Sequence, residues 1–480
     1  MSALLVILCS AVLFWFGIGL NPWWPAAWFA PLPLLLYAPR HSAGKTTLVT
    51  AVAVFLGSLA QWPQFHALHL PILSCLIIFG SIAFVITVAT LLFRALLRRG
   101  TNWSALVVYP AFIVTVEYLH NILSVDGTAG NLAYTQLGFL SFLQIASLTG
   151  PWGMTFLLLL FPSTIAVAFY LRRSQPGLAR MVAVVGLGII ALALVFGAIR
   201  LAQPRSTNTV KVGLVTSDLP ANDDVADEGT PAKDLFERYA AQVEKLAQGG
   251  AQVVVLPEKL AVVLGQSSAE LWQALADRTR AIIVAGVLRI DRPRRYNEAS
   301  VYIPHASMQS YHKRSLLPPF ESNITPGNSL LVFRADGRAC GVAICKDMDF
   351  TPLSRNYGKE GVGLMLVPGW DFNVDRAAHG HIAIMRGVED GFSIARAAKN
   401  GYLTVSDNRG RILAERRSDS ADFPTLLVDV PAAPVATLYQ KFGDWFAWLS
   451  IALCVLAILQ LFRQRRSANS LPVTSRFLSQ

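Results

Sequence analysis

The sequence predicts a polytopic α-helical membrane domain of about eight spans, seven before and one after an exported α/β domain. Three observations carry this. Of 480 residues 53% are hydrophobic and only 15% charged, and mean hydropathy is +0.45, too apolar for an ordinary soluble chain of this length. The long apolar runs fall before residue 204 and after residue 440. Between them, strand-like and helix-like segments alternate.

The spans are expected at residues 3–20, 23–39, 47–63, 70–93, 104–121, 143–170, 181–200 and 444–462. The run 143–170 is over-long and holds Gly150-Pro151 and Gly153, so an interfacial or broken portion is expected at its start. Arg40 and Lys45, then Arg94, Arg98 and Arg99, then Arg172, Arg173 and Arg180, then Arg463, Arg465, Arg466 and Arg476 follow every second span. The positive-inside rule therefore places both termini in the cytoplasm and residues 205–440 on the opposite side. The expected units are residues 1–204 (membrane), 205–440 (catalytic), 441–464 (last span) and 465–480 (basic tail). These loop cations account for the formal charge of +11, which makes the pI of about 9.6 a topology signal and argues against a nucleic-acid partner.

Within 205–440, strands are expected at 210–215, 252–256, 281–288, 299–303, 308–312, 330–334, 338–345 and 363–367, with helices at 232–247, 268–277 and 376–399. Asp407-Asn408-Arg409-Gly410 reads as a hairpin turn, and the acidic stretch 223–229 as a solvated loop. Two sheets with outer helices fit this order. Cys340 and Cys345, placed on one strand, would lie about 16 Å apart on opposite faces, beyond disulfide reach. No phosphate loop and no zinc spacing is found, His379 and His381 being only two residues apart, so neither metal nor cofactor is expected.

The chemistry is concentrated in four residues. Glu258 follows an apolar strand, Lys313 and Glu321 flank Ser315-Leu316-Leu317-Pro318-Pro319-Phe320, and Cys345 ends another apolar run. Acyl transfer needs a nucleophile, a base for its proton and a cation or donor for the oxyanion. Cys345 suits the first role, Glu258 the second and Lys313 the third, with Glu321 orienting Lys313 or the substrate.

Leu256-Pro257-Glu258, Tyr311-His312-Lys313 and Val342-Ala343-Ile344-Cys345 resemble the carbon–nitrogen hydrolase (nitrilase) superfamily, and Met385-Arg386-Gly387-Val388-Glu389 and Arg396-Ala397-Ala398-Lys399-Asn400-Gly401 are similar to its long helix and following turn. The resemblance implies an αββα sandwich with a Glu-Lys-Cys triad. The enclosing spans, Glu117-Tyr118-Leu119-His120, Tyr134-Thr135-Gln136 and the block 146–156 resemble the apolipoprotein N-acyltransferase family. That implies a bacterial inner-membrane enzyme with a periplasmic catalytic domain. Its partners would be a phospholipid acyl donor and the N-terminal amine of a lipoprotein, linked by a Cys345 thioester. A membrane-tethered amidase, an acyltransferase with another acceptor and an inactive binding relative stay open.

The chain departs from the family pattern in three places. Lys346-Asp347 stands where an aromatic and a Glu are usual, with Asp347 replacing the acid; Asp126-Gly127-Thr128-Ala129-Gly130-Asn131 replaces Thr-Gly-Phe-Pro-Trp; and Pro368-Gly369-Trp370-Asp371-Phe372 only loosely resembles Ser-Asn-Asp-x-Trp-Phe. Trp370, Phe372 and Trp152 read as pocket or gating residues or as interfacial anchors, and Glu117 as a snorkelling carboxylate or one paired inside the bundle.

Overall fold

The computed structural model describes residues 2–219, 230–264, 267–318 and 320–469. The acidic loop expected at 223–229, Pro319 and the part of the basic tail beyond residue 469 lie outside the described residues.

Apolar composition without an amphipathic stripe gives the N-terminal part its helices. They are α1 (Ala3–Ile18), α2 (Trp24–Phe29), α3 (Leu32–Tyr37), α4 (Ala43–Ser58), α5 (Trp62–Ala67), α6 (Ile72–Arg98), α7 (Asn102–Leu123), α8 (Leu140–Leu143), α9 (Ala146–Leu171) and α10 (Pro176–Ala202). Among the described residues six helices are long and apolar enough to cross a membrane: Ala43–Ala67, Ile72–Arg98, Asn102–Leu123, Ala146–Leu171, Pro176–Ala202 and Trp445–Arg463. Two of the expected spans take another form. The run 23–39 is broken into α2 and α3, because Pro25, Pro31 and Pro33 interrupt the backbone ladder, and α1 is a shorter apolar helix. The break expected in 143–170 is present: Gly150 has φ 65° and ψ −162°, a conformation for glycine alone, and a Cβ there would lie 2.4 Å from the Tyr439 ring.

The strands that follow are β1 (Thr209–Val215), β2 (Val253–Val255), β3 (Val262–Val263), β4 (Ile282–Asp291), β5 (Arg294–Tyr302), β6 (Gln309–His312), β7 (Val332–Ala335), β8 (Arg338–Val342), β9 (Leu364–Trp370), β10 (Ser393–Lys399), β11 (Tyr402–Ser406), β12 (Ile412–Arg417) and β13 (Thr425–Pro431). One sheet runs β13-β1-β2-β4-β5-β6 with β3 beside β4, the other β12-β11-β10-β9-β8-β7. In each, parallel strands form the centre and antiparallel strands the edges. Alternation sorts the side chains. Val253, Val255, Ile282 and Val284 face Val342, Leu364, Leu366, Ala395 and Ala397 across the sheet–sheet core. Val254, Leu256, Ile283 and Ala285 face α11 (Thr230–Gln248) and α12 (Ser267–Thr279). Met365, Val367 and Ile394 face α13 (Thr351–Lys359) and α14 (Ala378–Asp390). The result is the four-layer αββα sandwich, and burial on both faces explains the unbroken apolar strands.

One expected helix is corrected. The run 376–399 is α14 followed by β10, because Gly391 (φ 78°) ends the helix in the left-handed conformation. Short α15 (Leu438–Phe442) then leads into α16 (Trp445–Asn469). The two parts of the chain share a core: Met385 and Val388 of α14 and Tyr439 of α15 belong to the same buried cluster as Leu158, Trp152 and Tyr118 of the membrane helices. The 407–410 turn docks on the bundle as well, with Gln144 Nε2 donating to Arg409 O (2.9 Å) and Arg200 Nη1 to Gln144 Oε1 (2.5 Å). Trp152 is fully buried and donates to Asp444 Oδ1 at 2.8 Å, so it is a core residue and neither a gate nor an interfacial anchor.

Gly150→Ala is expected to destabilise the protein by about 1–3 kcal/mol through backbone strain and the Tyr439 clash. Gly188→Ala, on open α10, is expected to be neutral. Thermal unfolding of both variants in detergent checks the contrast.

Candidate active site

The site lies at the carboxyl ends of β2, β8 and β9, where strands of an open α/β sheet present side chains without covering them. Glu258 stands three residues beyond β2, its amide donating to Gly369 O at 3.2 Å. Lys313 directly follows β6 and is held between two carboxylates, 2.9 Å from Glu258 Oε1 and 2.9 Å from Glu321 Oε2. Glu321 also accepts from Leu317 N (2.9 Å) and lies 3.3 Å from Lys259 Nζ. The structure thus brings Glu258, Lys313 and Glu321 into one buried network, with Glu321 paired to the lysine.

Cys345 is not on a strand. β8 ends at Val342, and Cys345 opens a 3₁₀ turn (Cys345–Asp349) with φ 44°, a strained conformation for a residue with a Cβ. Cys340 and Cys345 both border the sheet–sheet core, against the expectation of opposite faces, since the chain leaves the strand between them; both are free thiols. The Cys345 Sγ donates to Trp370 O (3.5 Å), and Arg396 Nη2 lies 3.9 Å from the sulfur.

Asp347 does not point its carboxylate at the reacting groups. It accepts from Ile344 N (3.0 Å), Arg314 N (3.1 Å), Ser315 N (2.7 Å) and Tyr311 OH (2.8 Å), and so ties the turn after Cys345 to the segment after Lys313. Trp370 borders the thiol through its carbonyl, while the Lys399 ammonium sits 3.7 Å from its ring centroid. Phe372 packs on Phe320, centroids 6.1 Å apart. Glu117 accepts from Asn131 Nδ2 and Leu132 N, both at 2.8 Å, and so holds the segment after α7.

Two residues of the site were given no role by the motifs, although Arg396 stands in one of them. Asn297, buried in β5, donates to Glu258 Oε1 and Glu321 Oε1 at 2.6 Å each. Arg396 of β10 is buried with Asp371 (2.7 and 2.5 Å) beneath the thiol. Gly369 makes room for it, since a Cβ there would meet Arg396 Nη2 at 2.8 Å. Arg396 carries a signal as a charge flanked by alanines inside β10, whereas the polar first half of β5 gives Asn297 none.

Electrostatics follow from this packing. Burial would raise the Glu258 carboxyl, but Lys313 and Lys259, with hydrogen bonds from Lys313 and Asn297, outweigh it and hold the pKa at about 2. Burial, then the Glu258 charge, pushes the Cys345 thiol up against the pull of Lys313 and Arg396. Burial would lower the Lys313 ammonium, yet Glu258, Cys345 and Glu321 raise it. At neutral pH these shifts leave an ionised carboxylate, an ammonium and a protonated thiol in the one site.

Residues 10–164 match the family described as apolipoprotein N-acyltransferase N-terminal domain, and residues 230–438 match carbon–nitrogen hydrolase. The first match covers membrane helices α1 to α9 and the second covers the αββα sandwich. An apolipoprotein N-acyltransferase of Geobacter metallireducens is 25% identical, over 92% of this chain and 92% of its own length. Another, of Thermotoga maritima, is 23% identical over 75% of this chain and 72% of its own. An amidase from Nesterenkonia sp. is similar to 51% of this chain and 97% of its own, at 20% identity and a TM-score of 0.41.

Lys313→Met should destabilise the protein by about 3–5 kcal/mol, because it strands two buried carboxylates, whereas Cys345→Ser should leave the unfolding temperature nearly unchanged. The folded Glu258 value lies below its unfolded one, so its contribution is complete above pH of about 4.3 and is lost as pH falls toward 2. Glu258→Gln removes a charge that raises the thiol. The pH midpoint of Cys345 alkylation should therefore move down in that variant, and a midpoint that stays or rises contradicts the arrangement.

Proposed function

We propose that the protein transfers an acyl chain from a membrane phospholipid to the α-amine of the N-terminal lipid-modified cysteine of apolipoproteins, through a thioester on Cys345. The observation that supports this best is a buried thiol beside an ionised Glu–Lys pair, in a sandwich whose core is continuous with membrane helices. Spans are of no use to an amidase acting on soluble substrates, whereas two lipid-anchored substrates meet a membrane-held thiol at high effective concentration.

In the first half-reaction the Cys345 sulfur attacks the donor's ester carbonyl while Glu258 takes the thiol proton. The Lys313 ammonium stabilises the oxyanion. Collapse breaks the ester C–O bond, and Glu258 returns the proton to the departing lysophospholipid alkoxide. In the second half, the acceptor amine attacks the thioester carbonyl and Glu258 receives the amine proton. The C–S bond breaks, and that proton restores the thiol. Asn297 and Glu321 hold Lys313 and Glu258 in register, and Arg396 lies where it can follow charge on the sulfur. Trp370 and Phe372 would line the acyl channel. The alternation of basic loops supports assigning this chemistry to the periplasmic side of a bacterial inner membrane, with both termini in the cytoplasm.

Intact mass of the full-length protein after incubation with phospholipid is expected to rise by one acyl group, to stay unchanged in Cys345→Ala, and to fall back when a lipopeptide amine is added. Absence of the adduct in the unsubstituted protein sinks the acyl-transfer reading.

A further inference from the structure

The residue after the nucleophile points at the membrane domain. The Lys346 side chain is only 5% exposed, and its Nζ lies 3.0 Å from Asp126 Oδ1 in the segment that follows α7. Asp126 is itself steadied by Ser124, whose Oγ accepts from the Asp126 amide at 3.0 Å. Two residues on, Thr128 donates twice to Asp349 O, from N at 3.0 Å and from Oγ1 at 2.7 Å. Gly127 (φ 57°) fits between them only because it lacks a side chain, since a Cβ would be 2.6 Å from Asp349 O. The 3₁₀ turn carrying Cys345 is therefore touched near both its ends, at Lys346 and at Asp349, by one short piece of the membrane domain.

That piece is fixed from behind. Glu117 of α7 holds Asn131 and Leu132, and Thr155 of α9 donates to Asn131 Oδ1 at 3.2 Å. Tyr134 OH contacts Thr128 Oγ1 (2.5 Å) and receives Arg386 Nη2 of α14 (2.9 Å). A second membrane-domain residue, Gln64, donates to Asp375 Oδ2 at 3.0 Å just beyond Trp370 and Phe372.

A buried ammonium is a costly way to join two surfaces that apolar contact would hold as well. Here one end of the pair is half exposed, Asp126 being 52% accessible, so the contact is separable without unfolding either side. We propose that Lys346 and Asp126 are a positioning pair that latches the 124–131 segment over the nucleophile turn and keeps water from Cys345. This rests on the acyl-transfer reading for its purpose. A thioester lost to water releases a free fatty acid and the thiol, with Glu258 taking the water proton, and nothing reaches the amine.

The test uses the full-length protein in detergent and follows carbamidomethylation of Cys345 by iodoacetamide, read on the Cys345 peptide. Lys346→Ala and Asp126→Ala should each react about two- to 150-fold faster than the unsubstituted protein, the range over which contacting residues couple. The double variant should react no faster than the quicker single one. Asp126→Asn keeps the shape and removes the charge, and is the deciding variant if Lys346→Ala fails to fold. Single variants that alkylate at the original rate, or a double variant whose effect is the product of the two, overturn the latch. With acyl-enzyme in hand, the hydrolysed fraction should rise in the single variants, and an unchanged fraction overturns the exclusion of water. If the unsubstituted protein forms no acyl-enzyme, the acyl-transfer reading fails while the alkylation rates still decide the latch.

Discussion

The Lys313 ammonium, buried between two carboxylates, is the interaction on which the site depends. None of the three charges is tolerable alone in that interior, and each makes the others so. Because Asn297 donates to both carboxylates, the network draws together β5, the segment after β2, the segment after β6 and the turn that ends at Glu321. The same compensation sets the chemistry. Enough positive charge surrounds Glu258 to keep it ionised, and burial, aided by that negative charge, keeps the proton on Cys345. The strained backbone at Cys345 is held from the other side by Asp347, which spends its carboxylate on three amides and a tyrosine hydroxyl.

The membrane helices do more than tether this arrangement. The kink at Gly150 lets Tyr439 pack against α9, and Tyr439 and Trp152 both donate to Asp444, which also pairs with Arg355 of α13 at 3.4 Å. Arg386 and Glu389, fully buried on α14, form an ion pair at 2.7 Å in the same region and reach Tyr134. Polar links at the boundary are thus embedded in an apolar cluster that belongs to both parts, and the sandwich is packed onto the bundle as one layer onto another.

Much of this was legible in the sequence, for identifiable reasons. Long apolar runs and two-sided apolar strands leave strong periodic signals, so most of the long helices and strands β1, β2 and β4 to β9 followed from pattern alone. The failures have local causes. Prolines broke the run 23–39, and Ser393–Lys399 reads as helix because its alanines and Arg396 suit one, while its burial between two layers erases alternation. Glu258, Lys313, Glu321 and Cys345 were found because motif order survives distance in the chain. Asn297 and Arg396 were not, since their significance arises only when β5 and β10 bring them to residues far away in sequence. Lys346 and the 126–131 segment looked like two unrelated departures from a family pattern, and only contact shows that they meet.

The shared cluster of α14, α15 and the membrane helices also fixes a distance. A sandwich attached by linkers can swing, but one whose Met385, Val388 and Tyr439 are rooted among residues of the membrane helices holds Cys345 at a fixed distance from those helices. If the thiol takes acyl chains as proposed, the chain has to make the journey itself, and the length it can extend, rather than any swing of the domain, becomes a gauge of which chains arrive.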